Sequence, residues 1–132
     1  ERRQKERKQQ LEGIAAWTNL TIERLDVLYQ RYGTRVEEVA LFISQGEDKP
    51  LEELPHYSQR EIGFLATKEK VIHLDDLILR RTHIAKLGFL TGSLLVELAD
   101  ILAEALGWDD QQRDAEMLRT VELLADKHGV TL

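Results

Sequence analysis

Residues 21–44 read TIERLDVLYQRYGTRVEEVALFIS, two helical phrases with their punctuation in place. Thr21 is a residue type that caps helix N-termini, and Leu20 and Leu25 stand where a hydrophobic staple closes a first turn. The first helix is expected over residues 22–32, with Gly33 at the left-handed exit position. Thr34-Arg35-Val36-Glu37 then has the T-x-x-E form of a capping box, so a second helix should start at once and run to about Ser44.

The same punctuation recurs outward. Before Thr21, a charged helix or linker should reach Trp17, whereas residues 45–57, with Gly46, Pro50 and Pro55, should form a surface connection. Ser58-Gln59-Arg60-Glu61 is a second capping box, opening a helix to about Ile72 on an Ile62, Leu65, Ala66 stripe. His73 interrupts that stripe, as a break or a cap. Leu74, Leu77 and Ile78 restart it, with Asp75 and Asp76 in the first turn, Arg80 placed to pair with Asp76, and Gly88 as the stop.

Residues 93–106 are apolar except at Glu97, Asp100 and Glu104, which predicts a mostly buried helix ended by Gly107, with Trp108 in the following hydrophobic contact. Asp109 and Gln112 then cap a last helix ending at Gly129. Its Ala115, Leu118, Val121, Leu124 and Ala125 should face the core, and Arg119, Glu122 and Asp126 the solvent. The expected fold is all-α, a compact orthogonal bundle of about six helices.

Length and composition agree. The chain has 132 residues, 42% hydrophobic and 32% charged, which suits one globular core, and two prolines and eight glycines leave helix formation unopposed. Zero cysteines exclude disulfides, thiolate metal sites and iron–sulfur clusters. With 18 basic and 24 acidic residues the net charge is -6, a poor match to nucleic acid. The opening ERRQKERKQQ carries +3 and leaves -9 for the remainder, so weak or no binding to anionic vesicles is expected. No apolar run is long enough to span a bilayer. Glu1 rather than Met comes first, which suggests a piece of a longer protein.

No constellation of catalytic or metal-binding residues stands out. His56, His73, His83 and His128 lack the i, i+4 pairing of a helical zinc site, even with Asp75 and Asp76 nearby, so no metal ligand is assigned. The carboxylates fall on polar faces or in first turns, where capping and solvation account for them. Neither a nucleophile elbow nor a phosphate-cradling glycine loop occurs, so no catalytic or cofactor-binding residue is assigned. Residues 21–44 have the connectivity of a helix-turn-helix flanked by Arg31 and Arg35, but Glu37 and Glu38 spoil the second helix for phosphate contact. Arg80-Arg81 is the main local oddity. Adjacent positions point about 100° apart, so either Arg80 pairs with Asp76 while Arg81 reaches helix-end carbonyls, or one arginine is a buried strut between helices or to a neighbouring domain, which is the favoured reading.

Taken together, Arg31-Tyr32-Gly33-Thr34, Glu61-Ile62-Gly63-Phe64, Glu69, Leu74-Asp75-Asp76-Leu77, Arg80-Arg81-Thr82 and Leu106-Gly107-Trp108-Asp109 resemble the C-terminal helical domain of FAD-dependent glycerol-3-phosphate dehydrogenases. The resemblance spans roughly Leu20 to His128 and departs from the family at Lys70 and at His73, where a small hydroxyl is usual. It implies residues 1–19 as a helix or linker from an upstream catalytic region, and residues 20–132 as an accessory domain. It also implies a parent enzyme that oxidises sn-glycerol 3-phosphate to dihydroxyacetone phosphate, passing electrons to FAD and then quinone. FAD and substrate would sit in the upstream domain, leaving this chain inactive alone. The implied partners are that domain, a homodimer mate and, for the parent, quinone and the cytoplasmic face of a membrane. A glycerophosphate oxidase using oxygen shares the resemblance. A free-standing helical interaction module, using the basic opening, is the rival of another class.

Overall fold

Thr21 Oγ1 accepts the Arg24 N–H at 3.1 Å and starts a helix where the sequence puts one. The computed structural model describes residues 2–69, 71, 73–82, 84, 90–129 and 132, without the side chain of Arg80. Among the described residues there is no strand, only an isolated antiparallel bridge between Pro50 and Ser58. The all-α expectation holds, with six helices of nine residues or more. The chain forms two compact units, Glu1–Asp48 and Lys49–Leu132.

In the first unit, α1 (Arg2–Thr18) packs on α2 (Ile22–Tyr32) and α3 (Val36–Ser44). Its core is Leu11 and Ile14 from α1, Leu25 and Leu28 from α2, and Val36, Val39, Ala40 and Ile43 from α3. The three-to-four spacing puts each set on one face. The turn from α1 to α2 uses Asn19 at φ 63, a conformation that Asn tolerates. Arg7 is drawn back onto α2, 3.0 Å from Asp26 and over the Tyr29 ring at 5.1 Å. Arg24 latches the chain beyond α3 through Asp48 at 2.7 Å.

Two local expectations fail at the α2–α3 turn. Gly33 has positive φ, 59°, but ψ is -129°, outside the left-handed helical region. Residues Gly33–Arg35 form a 3-10 turn, and neither this turn nor α3 has a side-chain cap, so the Thr34–Glu37 capping box does not form. Thr34 lies inside the 3-10 turn rather than at the extended position a cap residue takes.

The second unit begins with a connection that is more than surface. Leu51, Leu54 and Tyr57 are buried, and the Leu51 N–H to Tyr57 O bond (2.9 Å) and the Gln59 N–H to Lys49 O bond (3.0 Å) close it into a ring. Ser58 Oγ accepts the Glu61 N–H at 3.2 Å and opens α4 (Gln59–Lys68). That helix stops short of Ile72, which lies outside the described residues, and Val71 is fully buried past its end.

The next segment, α5 (Leu74–Asp76), passes into a π-helical turn over Leu77–Arg81 and stops there; the expected stop at Gly88 lies outside the described residues. Leu74, Leu77 and Ile78 are buried as the stripe predicts. Thr82 Oγ1 donates to Leu77 O, five residues back, at 2.9 Å, in keeping with the wider turn.

Helix α6 (Gly92–Leu106) is capped by Thr91, which accepts the Leu94 N–H, and ends at Gly107 in the left-handed conformation. It buries Leu94, Leu95, Leu98, Ala99 and Leu102 but leaves Val96 exposed with Asp100 and Glu104, so it is amphipathic rather than mostly buried. Helix α7 (Asp110–His128) has the expected Asp109–Gln112 capping box and left-handed Gly129 exit, but its inward face differs from expectation. Leu118 is 60% exposed and Ala115 and Ala125 face solvent, while Thr120 and Leu124 are fully buried. The rotation follows from polar groups on α7 that find partners on α5.

Candidate functional site

The first backbone N–H groups of any helix lack intrahelical acceptors, and a residue at the cap position normally supplies one. At α5 that position is His73, extended at φ -127 and ψ 140, and its side chain makes no cap hydrogen bond. The acceptor comes from α7 instead. Glu116 Oε1 accepts the Leu74 N–H at 2.9 Å and lies 3.3 Å from His73 Nδ1.

Arg119, one turn further along α7, completes the group. Its Nε donates to Glu116 Oε2 at 3.1 Å and its Nη2 to Glu116 Oε1 at 2.7 Å, a two-pronged pairing, while Nη2 also donates to Asp75 Oδ1. Glu116 and Asp75 are mostly covered and His73 is largely open. Burial alone would push the Glu116 carboxyl up. The hydrogen bonds from Arg119 and from the Leu74 N–H, with the charges of Arg119 and His73, outweigh it and hold the carboxyl below the usual carboxylate range. Its hydrogen bond to Glu116, opposed by burial and aided by Asp75, holds the Arg119 guanidinium above its ordinary value.

His73, Asp75 and Glu116 each bring one potential ligand atom within 4.8 Å of the others. The Arg119 guanidinium is bonded to both carboxylates, so the place a metal ion would take already holds a cation. Glu116, ionised near neutrality, is likewise a poor proton donor there. The arrangement is a clamp between α5 and α7.

A parallel tie joins α6 to α7. Arg113 Nη1 donates to Asp100 at 2.7 Å and the same guanidinium to Asp114 at 3.2 Å; these hydrogen bonds, Asp114 first, hold Arg113 above its ordinary value. On α6, Glu97 Oε2 accepts the Glu52 N–H at 2.9 Å and so fixes the 49–58 ring. Its Oε1 and the Thr120 hydroxyl are buried without partners among the described residues.

The residues that carried the resemblance lie at helix ends and junctions. Arg31 and Tyr32 close α2, half-buried, and Gly33 and Thr34 make the 3-10 turn. Glu61 is buried in the first turn of α4, and Glu69 follows its last residue. Gly107 and Trp108 make the α6 exit, where the Trp108 N–H reaches Ala103 O at 2.9 Å. Asp76 faces Arg81 at 3.9 Å; the side chain of its expected partner Arg80 lies outside the described residues, as do His83 and Lys70. Half-exposed Arg81 is no buried strut. Among the described residues an interhelical strut is Arg119, which the sequence placed on the solvent face; the i, i+3 spacing of Glu116 and Arg119 was its one local signal. Among the described residues no strand leads through a glycine-rich turn into a helix, the usual hold on a dinucleotide pyrophosphate.

A family model for the C-terminal domain of alpha-glycerophosphate oxidase matches residues 3–113. The chain belongs to that family. Among curated relatives, a glycerol-3-phosphate dehydrogenase of Mycobacterium leprae is 30% identical over 111 residues, covering 82% of this chain and 19% of that protein. A glycerol-3-phosphate dehydrogenase 2 of Mycobacterium bovis and one of Mycobacterium tuberculosis are each 28% identical over the same shares. The chain thus spans about a fifth of the length of these relatives. No solved structure matches. Within this glycerophosphate oxidase C-terminal domain, His73 and Asp75 fall inside the matched segment, whereas Glu116 and Arg119 fall just beyond it. No described helix is long and apolar enough to cross a membrane.

Proposed function

We propose that this chain is the non-catalytic helical accessory domain of an FAD-dependent sn-glycerol-3-phosphate dehydrogenase. The parent oxidises glycerol 3-phosphate to dihydroxyacetone phosphate, passing the electrons to FAD and then to quinone at the cytoplasmic face of a membrane. The observation that carries this reading is the match of 82% of the chain to about a fifth of a protein named glycerol-3-phosphate dehydrogenase. The clamp supports it, because the chain's most concentrated polar group is spent on holding α5 to α7. Flavin and substrate are held by the remainder of the parent, and residues 20–132 pack against that catalytic body and, in a homodimer, against its mate. The motif residues Arg31, Tyr32, Gly33, Thr34, Glu61, Glu69, Asp76, Arg80, Arg81, Thr82, Gly107 and Trp108 serve the fold.

A second reading is favoured by the family's own description, which names an oxidase. In it the same domain serves an enzyme that delivers electrons to oxygen. Oxygen consumption against quinone reduction by the full-length parent separates the two. For the accessory role, the test is the isolated chain with glycerol 3-phosphate, FAD and an artificial acceptor. No flavin binding and no turnover are expected; measurable turnover overturns the proposal.

A further inference from the structure

Helix α7 is nineteen residues long, yet only Thr120 and Leu124 are buried along it. One of these two carries a hydroxyl with no partner among the described residues, so its burial gives little. Met117, Val121 and Leu123 are only half-buried beside them, so polar contacts share in holding α7: Arg113 to Asp100 near its start, and the clamp at Glu116 and Arg119. Segments with few buried apolar contacts are the ones that open first.

The clamp does a second job. The short α5 has no cap of its own, and its Leu74 N–H is satisfied by Glu116 from a helix 42 residues away. Directly behind α5 lies the π turn Leu77–Arg81, a helix type with poor intrinsic stability. We infer that α7 is a releasable strap, whose undocking uncaps α5 and loosens the Leu74–Arg81 segment while α4 stays folded. The order of residues 74–81 is then set by the docked state of α7, and anything that competes for the inner face of α7 or pulls on it changes that segment.

The test is hydrogen–deuterium exchange on the full 132-residue chain, read helix by helix, in the parent sequence, Glu116→Ala, His73→Ser and the double variant. Serine at position 73 supplies a local cap through the Asp75 or Asp76 N–H, in place of the anchorage lost at Leu74. In Glu116→Ala, amides of residues 74–77 and of α7 should exchange about tenfold faster, the usual worth of a lost cap, with α4 unchanged. His73→Ser alone should leave both segments slow. The double variant should recover slow exchange at 74–77 while α7 remains fast. Unchanged exchange at 74–77 in Glu116→Ala overturns the inference. So does equal acceleration of α4, which would make the unit one cooperative block, or failure of the double variant to recover.

Discussion

Glu116 on α7 and the backbone of Leu74 on α5 are joined by a 2.9 Å hydrogen bond across 42 residues of sequence, and that bond is made by a carboxylate that must stay ionised. The Glu116 carboxyl is held below its unfolded value, so its contribution is fully present above the ordinary carboxylate range and disappears as pH falls through the folded value. Thermal melts of the parent sequence and Glu116→Gln should therefore differ at pH 7 and converge progressively below about pH 4. A difference that persists unchanged at pH 3 contradicts the assignment.

Thr120 gives the opposite kind of prediction. Its hydroxyl is buried with no partner among the described residues, and valine keeps the branched shape without the polar group. Thr120→Val should stabilise the chain by about 1 kcal/mol, seen as a rise in the denaturant midpoint with unchanged slope. A loss of stability would mean that the hydroxyl is satisfied after all.

The rotation of α7 is checked by a pair of substitutions on one helix. Leu118 is 60% exposed and Leu124 fully buried. Leu118→Lys should change stability by less than about 0.5 kcal/mol, while Leu124→Ala should cost about 2–5 kcal/mol. The reverse order would return α7 to the face its apolar residues suggest.

Capping supplies a fourth test. Asp109 accepts the Gln112 N–H at 2.7 Å, whereas Thr34 sits in a 3-10 turn and caps nothing. Asp109→Ala should cost about 1 kcal/mol, and Thr34→Ala less than about 0.5 kcal/mol, by chemical denaturation.

These pairs also mark what could be read from the sequence. The caps at Thr21, Ser58 and Asp109 and the exits at Gly107 and Gly129 were legible because each is settled within four or five residues by donors and acceptors that the sequence places side by side. Thr34 misled because its neighbour Gly33 had already turned the chain into a 3-10 helix. The inward face of α7 was illegible for a different reason. An apolar stripe through Ala115 and Leu118 competes with Glu116 and Thr120, and the winner is decided by Leu74 and Asp75, groups on another helix. The 49–58 ring is hidden in the same way, since Leu51 and Tyr57 become core only when the ring closes.

The family was legible where the clamp was not, and both follow from one cause. Motifs such as Arg31-Tyr32-Gly33-Thr34 and Leu106-Gly107-Trp108-Asp109 are local signatures of helix ends, visible as strings. The clamp exists only as a meeting of four side chains from two helices.

The π turn at Leu77–Arg81 holds one residue of slack. An ordinary helix would cover the same rise with one residue fewer, so this is where the chain between Leu74 and Thr82 can lose a position, or show that it once gained one, without shifting Leu74 from its acceptor on α7. Length variation among related sequences in this stretch should therefore concentrate at these five residues, and a single deletion there should convert the turn to ordinary α-helix while Leu74 and Thr82 keep their places.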